Sequence, residues 1–278
     1  MASDAAQKAA RRAARQALAE DLVGLGDVTG RAFTGNGRAT VVARESGVLS
    51  GSLPFAEAAR LVDDALEVRF SVTDGAPFAV GDTVATVAGA LASILAVERT
   101  GLNFLARLSG VATLTAHYVA ETAGTRARIA ATRKTTPGLR ALEKQAVVDG
   151  GGLPHRSGLY DGALVKDNHV LAAGGVAAAV ELVRAGLPPK QTLEVEVESL
   201  EQLAEALAVG VGFVLLDNME LETVREAVRI VAGRCVLEVS GGVRLQDVRD
   251  IAATGVDIIS VGALTTRAPW IDMSLDLE

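Results

Sequence analysis

The chain has 278 residues, enough to bury a full core and to hold one α/β barrel or two smaller domains. Its formal net charge of −7 argues against a nucleic-acid partner, because binding a phosphate backbone needs a basic face. A single cysteine, Cys235, leaves no internal disulfide and no multi-cysteine metal centre, which fits a reducing bacterial cytoplasm. Apolar residues make up 49% and aromatics only 3%, so Ala, Val, Leu and Gly must do the packing, a composition that suits repeated βα units.

Residues 5–23 carry Ala and Leu at helical spacing with Arg and Lys between them, which predicts an amphipathic surface helix ending near Gly24–Gly26. Charge is scattered through this start, so it lacks the apolar segment of a secretory signal, and no run in the chain reaches the roughly 18 apolar residues of a membrane span. Gly-punctuated β-like runs follow at 38–43, 47–50, 66–72 and 84–88, with a helix at 54–63, an α+β pattern and not βαβ. The string Val80–Val87 has the look of a lipoyl-type hairpin, but no lysine sits at the following turn to carry a prosthetic group, so it reads as an ordinary Gly-Asp turn.

Residues 91–120 form the longest helical pattern. Leu91, Ile94, Leu95, Leu102, Leu105 and Leu108 make its apolar stripe, while Glu98, Arg99, Asn103 and Arg107 lie off it; Arg99 and Asn103, four apart, share a face that reads as solvent or as a subunit or domain seam. Ser109-Gly110 is expected to interrupt or kink this helix and to mark a module boundary near 110. Beyond it, short β-rich runs at 128–132, 163–165, 193–197, 213–216, 236–239 and 258–261 alternate in the later half with helices at 200–208, 219–232 and 244–253. The later strands start about 20 residues apart, which is βα repetition with parallel connections. Six strands, with room for one more near 145–148, suggest a small or incomplete barrel, and no strand leads into the GxGxxG turn of a doubly wound dinucleotide fold.

In such a barrel the active face lies at the C-terminal ends of the strands. The residues there are Arg133 and Lys134, Lys166 and Asn168, Glu196 and Glu198, Asp217 and Asn218, Ser240-Gly241-Gly242, and Gly262. Arg133, Lys134, Arg156 and Lys166, with His155, supply more positive charge than one carboxylate needs, in a chain that is acidic overall. Each alone reads equally well as a surface cation; together they describe an anion site. Glu196 and Asp217 could hold Mg²⁺ through a diphosphate or ribose hydroxyls, while an ion pair of Glu196 with Lys166 is the competing structural account. His117, His155 and His169 do not make a zinc set. The glycines after the last two strands offer backbone N–H groups to a phosphate.

The same residues carry a family resemblance. Glu98-Arg99-Thr100, Ala131–Arg140 (ATRKTTPGLR), His155-Arg156, Lys166–His169 (KDNH), Glu194–Val197, Leu216-Asp217-Asn218, Ser240-Gly241-Gly242 and Ser260-Val261-Gly262 resemble quinolinate phosphoribosyltransferase over about residues 15–278. The resemblance implies an N-terminal α/β sandwich of residues 1–110 joined to an open, incomplete α/β barrel of six to seven parallel strands at 111–267, with the tail 268–278 returning to the first module. It further implies a homodimer or a hexamer of dimers that moves the phosphoribosyl group of 5-phosphoribosyl-1-diphosphate (PRPP) to quinolinate with Mg²⁺, releasing diphosphate and CO₂. By motif, Arg133, His155 and Arg156 are similar to the readers of the quinolinate carboxylates and Arg99 to an arginine lent across the dimer. Lys134 and Lys166 are similar to lysines near the carboxylates and diphosphate, Glu196 and Asp217 to the ribose and Mg²⁺ carboxylates, and Ser240, Gly241, Gly242, Val261 and Gly262 to the 5′-phosphate loops. Many relatives continue Leu-Thr-His-Ser after the last barrel glycine, where this chain has Leu264-Thr265-Thr266-Arg267. A paralogous phosphoribosyltransferase of the same architecture, acting on a monocarboxylate, and a noncatalytic sugar-phosphate-binding protein are the competing readings.

Overall fold

A computed structural model describes residues 4–278. The chain opens with α1 (Asp4–Asp21) and then β1 (Asn36–Ala43), β2 (Gly47–Val48), α2 (Ser52–Val62), β3 (Glu67–Phe70), β4 (Pro77–Phe78), β5 (Thr83–Ala90) and α3 (Leu91–Glu121). It continues through β6 (Arg128–Ala130), α4 (Arg140–Asp149), β7 (Ala163–Val165), α5 (Asp167–Ala173), α6 (Val176–Gly186), β8 (Leu193–Val197), α7 (Leu200–Ala208), β9 (Phe213–Asp217) and α8 (Leu221–Val231). It closes with β10 (Val236–Ser240), α9 (Val248–Ala253), β11 (Ile258–Ser260), α10 (Ala263–Thr266) and β12 (Met273–Leu277).

Two compact units result. The first holds the chain up to Ala116 together with Thr135–Gly151 and Leu264–Glu278; the second holds His117–Lys134 and Gly152–Ala263. In the first unit an antiparallel sheet runs β12-β1-β5-β3, so the C-terminal strand pairs along β1 from Ala43↔Met273 to Ala39↔Leu277. Its small residues Ala39, Val41, Ala85 and Val87 pack with Phe55, Ile94, Leu102 and Leu105 in one buried cluster. Phe55 and Phe70 add an edge-to-face ring pair with centroids 5.7 Å apart, a geometry that suits the aromatic quadrupole.

The helix expected to break near Ser109-Gly110 runs uninterrupted for 31 residues. These two residues serve contact instead of a kink. Ser109 Oγ accepts from Ser50 N–H and donates to Ser50 O, and a Cβ at Gly110 would lie 1.8 Å from Pro269 O. The strand allowed for near 145–148 is the C-terminal part of α4: Leu142, Ala146 and Val147 are buried at helical spacing, while Val148, the second of two β-branched residues, is exposed. Local β-propensity loses there to packing.

Arg107, off the apolar stripe of α3, is mostly buried against Glu143, whose side chain is fully buried. Arg107 donates from Nε (3.2 Å) and Nη2 (2.6 Å) to Glu143 Oε1, and Thr136 donates to the same carboxylate from its N–H (2.9 Å) and Oγ1 (2.8 Å). Arg107 also donates to the carbonyls of Thr265 and Ala268. A buried carboxylate costs several kcal/mol in lost hydration, and only a full set of donors offsets that.

In the second unit six parallel strands run in the order β6-β11-β10-β9-β8-β7. Chain order is therefore followed around the sheet, except that the first and second strands end at opposite edges. This is an open α/β barrel. The side facing the helices carries Val195, Val197, Val214, Leu216, Leu237 and Val239, all buried, and the alternate positions carry Glu194, Glu196, Asp217, Glu238 and Ser240. Ser199 caps α7, accepting from Gln202 N–H at 3.3 Å, while the Gln202 side chain accepts from Glu198 N–H and not from that of the cap residue.

Truncating the buried pair tests this account of the first unit. Glu143→Ala leaves the Arg107 charge buried without its carboxylate and is expected to destabilise the protein by about 3–5 kcal/mol. A thermal melt of the variant beside the parent measures it.

Candidate active site

The C-terminal ends of the barrel strands enclose a pocket of about 460 Å³ lined by Thr132, Arg133, Lys134, His155, Arg156, Lys166, Glu196, Asp217, Asn218, Glu238, Ser240, Gly241, Gly242 and Ser260. Strand register explains the grouping. Glu196, Leu215 and Glu238 are direct neighbours across β8, β9 and β10, and one step further up, Asp217 stands beside Ser240. The period of two that hides valines under the helices thus aims carboxylates at the barrel axis and its rim.

The basic side chains are set by local devices. Lys134 follows β6, its N–H donating to Thr132 Oγ1 at 3.1 Å. A Cβ at Gly262 would come within 3.2 Å of the Lys134 side chain, so the glycine lets the last barrel loop pass close to that lysine. Lys166 caps α5: its N–H donates to His169 Nδ1 at 2.9 Å, which makes the final residue of the KDNH string a helix-start device, not a ligand. The Lys166 Nζ pairs with Glu196 Oε2, so the ion pair weighed as the structural alternative is present, inside the pocket. Arg156 donates to Gly162 O at 3.4 Å, and burial first, then the charge of Arg133, press its guanidinium below the ordinary arginine value. Two cations that oppose each other's charge at one rim concentrate positive potential there.

The carboxylate side has its own lock. Asn218 lies in the left-handed region (φ 52°), donates from its N–H to Ser240 O at 3.0 Å, and from Nδ2 to Asp217 Oδ2 at 2.6 Å. Gly241, at φ 94°, abuts it, and a Cβ there would fall 2.3 Å from Asn218 Oδ1. Leu-Asp-Asn after one strand and Ser-Gly-Gly after the next are therefore one interlocked unit. Only glycine fits the second.

Not every expected residue joins the pocket. Val261 is buried and its N–H donates to Ala130 O, which continues the strand ladder. Arg99 lines a separate pocket of about 530 Å³ in the first unit, with Glu20, Asp21, Asn103 and Arg107. Glu238, which sequence reasoning passed over, lies 3.1 Å from His155 Nε2, and Glu194 lies 3.6 Å from it. An acidic residue two places before Ser240 in an otherwise apolar strand was the available signal. Burial above all, then the Glu238 charge, pushes the Glu194 carboxyl up to about 7, and its Oε1 is buried with no hydrogen-bond partner. The set of His155, Glu194 and Glu238 has the donors to hold a cation or a proton.

Fold and pocket define a class: an α/β-barrel enzyme whose strand ends gather cations, two rim carboxylates and a glycine-rich loop around one pocket. Comparison with known proteins gives the family. Profiles of the quinolinate phosphoribosyl transferase N-terminal and C-terminal domains match residues 27–109 and 111–276, and the chain belongs to this family. It is 44% identical, over the whole of both chains, to the nicotinate-nucleotide pyrophosphorylase (carboxylating) of Mycobacterium leprae. It is 38% identical to quinolinate phosphoribosyltransferase (decarboxylating) 1 of Nicotiana glauca, covering 94% of this chain and 80% of that one. The structure of the nicotinate-nucleotide pyrophosphorylase from Francisella tularensis superposes with a TM-score of 0.94 at 37% identity, covering 98% of this chain and 97% of the other.

The raised Glu194 value has a consequence for stability. A carboxyl whose folded pKa lies above its unfolded value favours the fold while protonated, and that contribution is lost as pH rises from the ordinary carboxylate range through about 7. Melting temperatures taken from pH 5 to pH 8 are expected to fall more steeply for the parent than for Glu194→Gln, which cannot ionise.

Proposed function

We propose that the protein transfers the phosphoribosyl group of PRPP to the ring nitrogen of quinolinate and releases the 2-carboxylate as CO₂, giving nicotinate mononucleotide and diphosphate for NAD synthesis. The observation that carries this reading is the pocket itself: in a chain of net charge −7, Arg133, Lys134, Arg156 and Lys166 meet at one barrel mouth beside the Ser240–Gly242 loop. Quinolinate is a dianion and PRPP is more highly charged, so both can occupy one pocket only where cations are concentrated.

The residues divide the work by chemistry. Arg133, His155 and Arg156 hold the pyridine dicarboxylate, the planar arginines matching carboxylates in a way a lysine does not. The N–H groups of Gly241, Gly242 and Gly262 and the Ser240 hydroxyl take the 5′-phosphate. The pyridine nitrogen then attacks C1′ of the ribose as the bond from C1′ to the diphosphate oxygen breaks, and the electron pair leaves with diphosphate. Lys134 and Lys166 offset the charge that grows on the leaving group, and Glu196 and Asp217 stabilise the oxocarbenium-like sugar. The nitrogen is now a quaternary pyridinium, which accepts the electrons released when the bond from C2 to the carboxylate carbon breaks. CO₂ leaves, and C2 takes a proton from solvent. No covalent intermediate on the protein is needed.

Glu196 and Asp217 are also the residues that would hold Mg²⁺. They offer hard oxygen donors at one rim, few enough that the ion keeps water and substrate oxygens in its shell. When bound, Mg²⁺ supplies neutralisation of the departing diphosphate. The protein works in the cytoplasm as a homodimer, with Arg99, which by motif is similar to the family's arginine lent across the dimer, serving the partner's pocket.

The reading rests on one assay. Quinolinate labelled in its 2-carboxylate is expected to release labelled CO₂ only when PRPP and Mg²⁺ are both present, and Lys166→Ala should slow that release about 100-fold or more. Turnover of nicotinate with none of quinolinate would shift the assignment to a monocarboxylate enzyme of the same fold. Arg99→Ala and Lys166→Ala proteins, each inactive alone, should regain turnover on mixing if subunits exchange, and no recovery after demonstrated exchange removes the cross-subunit arginine.

A further inference from the structure

Glu194 and Glu238, the two carboxylates grouped with His155, are not used by the chemistry above. His155 stands directly before Arg156, with its backbone in the left-handed region at φ 50°, a conformation that a non-glycine residue keeps only when its surroundings hold it. Its Nε2 lies 3.1 Å from Glu238 Oε2, and the side chains of the two are 18% and 2% exposed. Glu194 Oε2 stands behind at 3.6 Å. Glu238 sits mid-strand on β10, one pair of residues below Ser240, so its carboxylate is fixed by the sheet and not by a flexible loop. His155 and Glu238 both line the main pocket, and both line the smaller cavity beneath it, together with Glu194.

We propose that Glu238, backed by Glu194, is a positioning residue that aims His155 at the pyridine dicarboxylate and so sets the enzyme's affinity for its aromatic acid, without touching either substrate. The inference rests on the quinolinate reading above. The physical case is one of tautomer and charge. An imidazole whose Nε2 donates to a buried carboxylate has that nitrogen's proton and the ring plane fixed by the bond, the role a carboxylate plays behind a metal-bound or catalytic histidine. To donate to an anionic ligand as well, the ring must carry both protons, and an imidazolium buried at the barrel axis needs a counter-charge behind it. Glu238 provides that counter-charge from a rigid strand. Glu194, whose carboxyl is held toward its neutral form by burial and by the Glu238 charge, stands behind the pair. PRPP, which meets the lysines and the glycine loop, gains nothing from this pair.

The test separates positioning from general stability. Calorimetric titration of quinolinate and of PRPP would be run on the parent, Glu238→Gln, His155→Ala and the double variant. Glu238→Gln is expected to weaken quinolinate binding about tenfold, the worth of a charged hydrogen bond, while PRPP affinity stays within about twofold. The double variant should bind quinolinate no more weakly than His155→Ala alone, because Glu238 acts through the imidazole. Unchanged quinolinate affinity in Glu238→Gln, equal losses for both ligands, or a loss that adds to that of His155→Ala would each overturn the proposal. A stoichiometric metal in the purified protein that disappears in both single variants would overturn it too, by making the three residues a cation site. If Glu238→Gln fails to fold, Glu238→Asp, which retracts the carboxylate by one methylene, must show the same selective loss for quinolinate. If the parent binds no quinolinate, the functional reading falls, and this inference falls with it.

Discussion

The buried contact of Arg107 with Glu143 is what the first unit depends on. Three stretches distant in sequence meet there: the middle of α3, the Thr135-Thr136 segment with the helix that follows it, and the turn after α10. Each brings polar groups that would be costly to bury alone, and each is satisfied by the others. The arrangement is all-or-none, since removing any member strands a charge or a carbonyl. It also anchors Thr136, whose N–H and hydroxyl both donate to Glu143.

The barrel applies the same economy of polar groups to catalysis. Alternation along β8, β9 and β10 sends valines and leucines outward to the helices and acids inward, and parallel register lines those acids up in rows. Lower in the barrel, Glu194 and Glu238 are buried around one imidazole; at the rim, Glu196 and Asp217 are reachable from the pocket. Height along the strand thus separates the most deeply buried carboxylates from those nearer the rim. The Lys166–Glu196 pair belongs to both descriptions, because an ion pair in the free pocket is also a lysine held ready for an anion.

Electrostatics explains how an acidic protein can carry a strongly basic pocket. Long-range repulsion from a net negative surface is screened within about 10 Å at ordinary ionic strength, whereas Arg133, Lys134, Arg156 and Lys166 act at contact distance inside a cleft. The depressed value of Arg156 shows the tension in that cluster. An anionic ligand relieves it, so ligand charge is part of what the site is built around.

The sequence by itself determined the parts whose physics is local. Strand and helix positions followed from spacing, the barrel from the βα rhythm, and the main pocket from the rule that chemistry sits where parallel strands end; the TRKTTPG and KDNH strings carried the family. What it left undecided, or led to expect wrongly, involved partners far apart in the chain. The stretch 145–148 has β-branched residues but lies in a helix because Leu142, Ala146 and Val147 pack on one side. Gly110 does not bend α3; it lets Pro269 approach. Arg107 reads only as a residue off the apolar stripe until Glu143 is brought to it, and His155 reads as one of several rim cations until Glu238, 83 residues later, is placed beside its ring. Periodicity is a property of neighbours along the chain and can be read from them. Which buried charge meets which is decided by packing, and only the tertiary structure makes that choice.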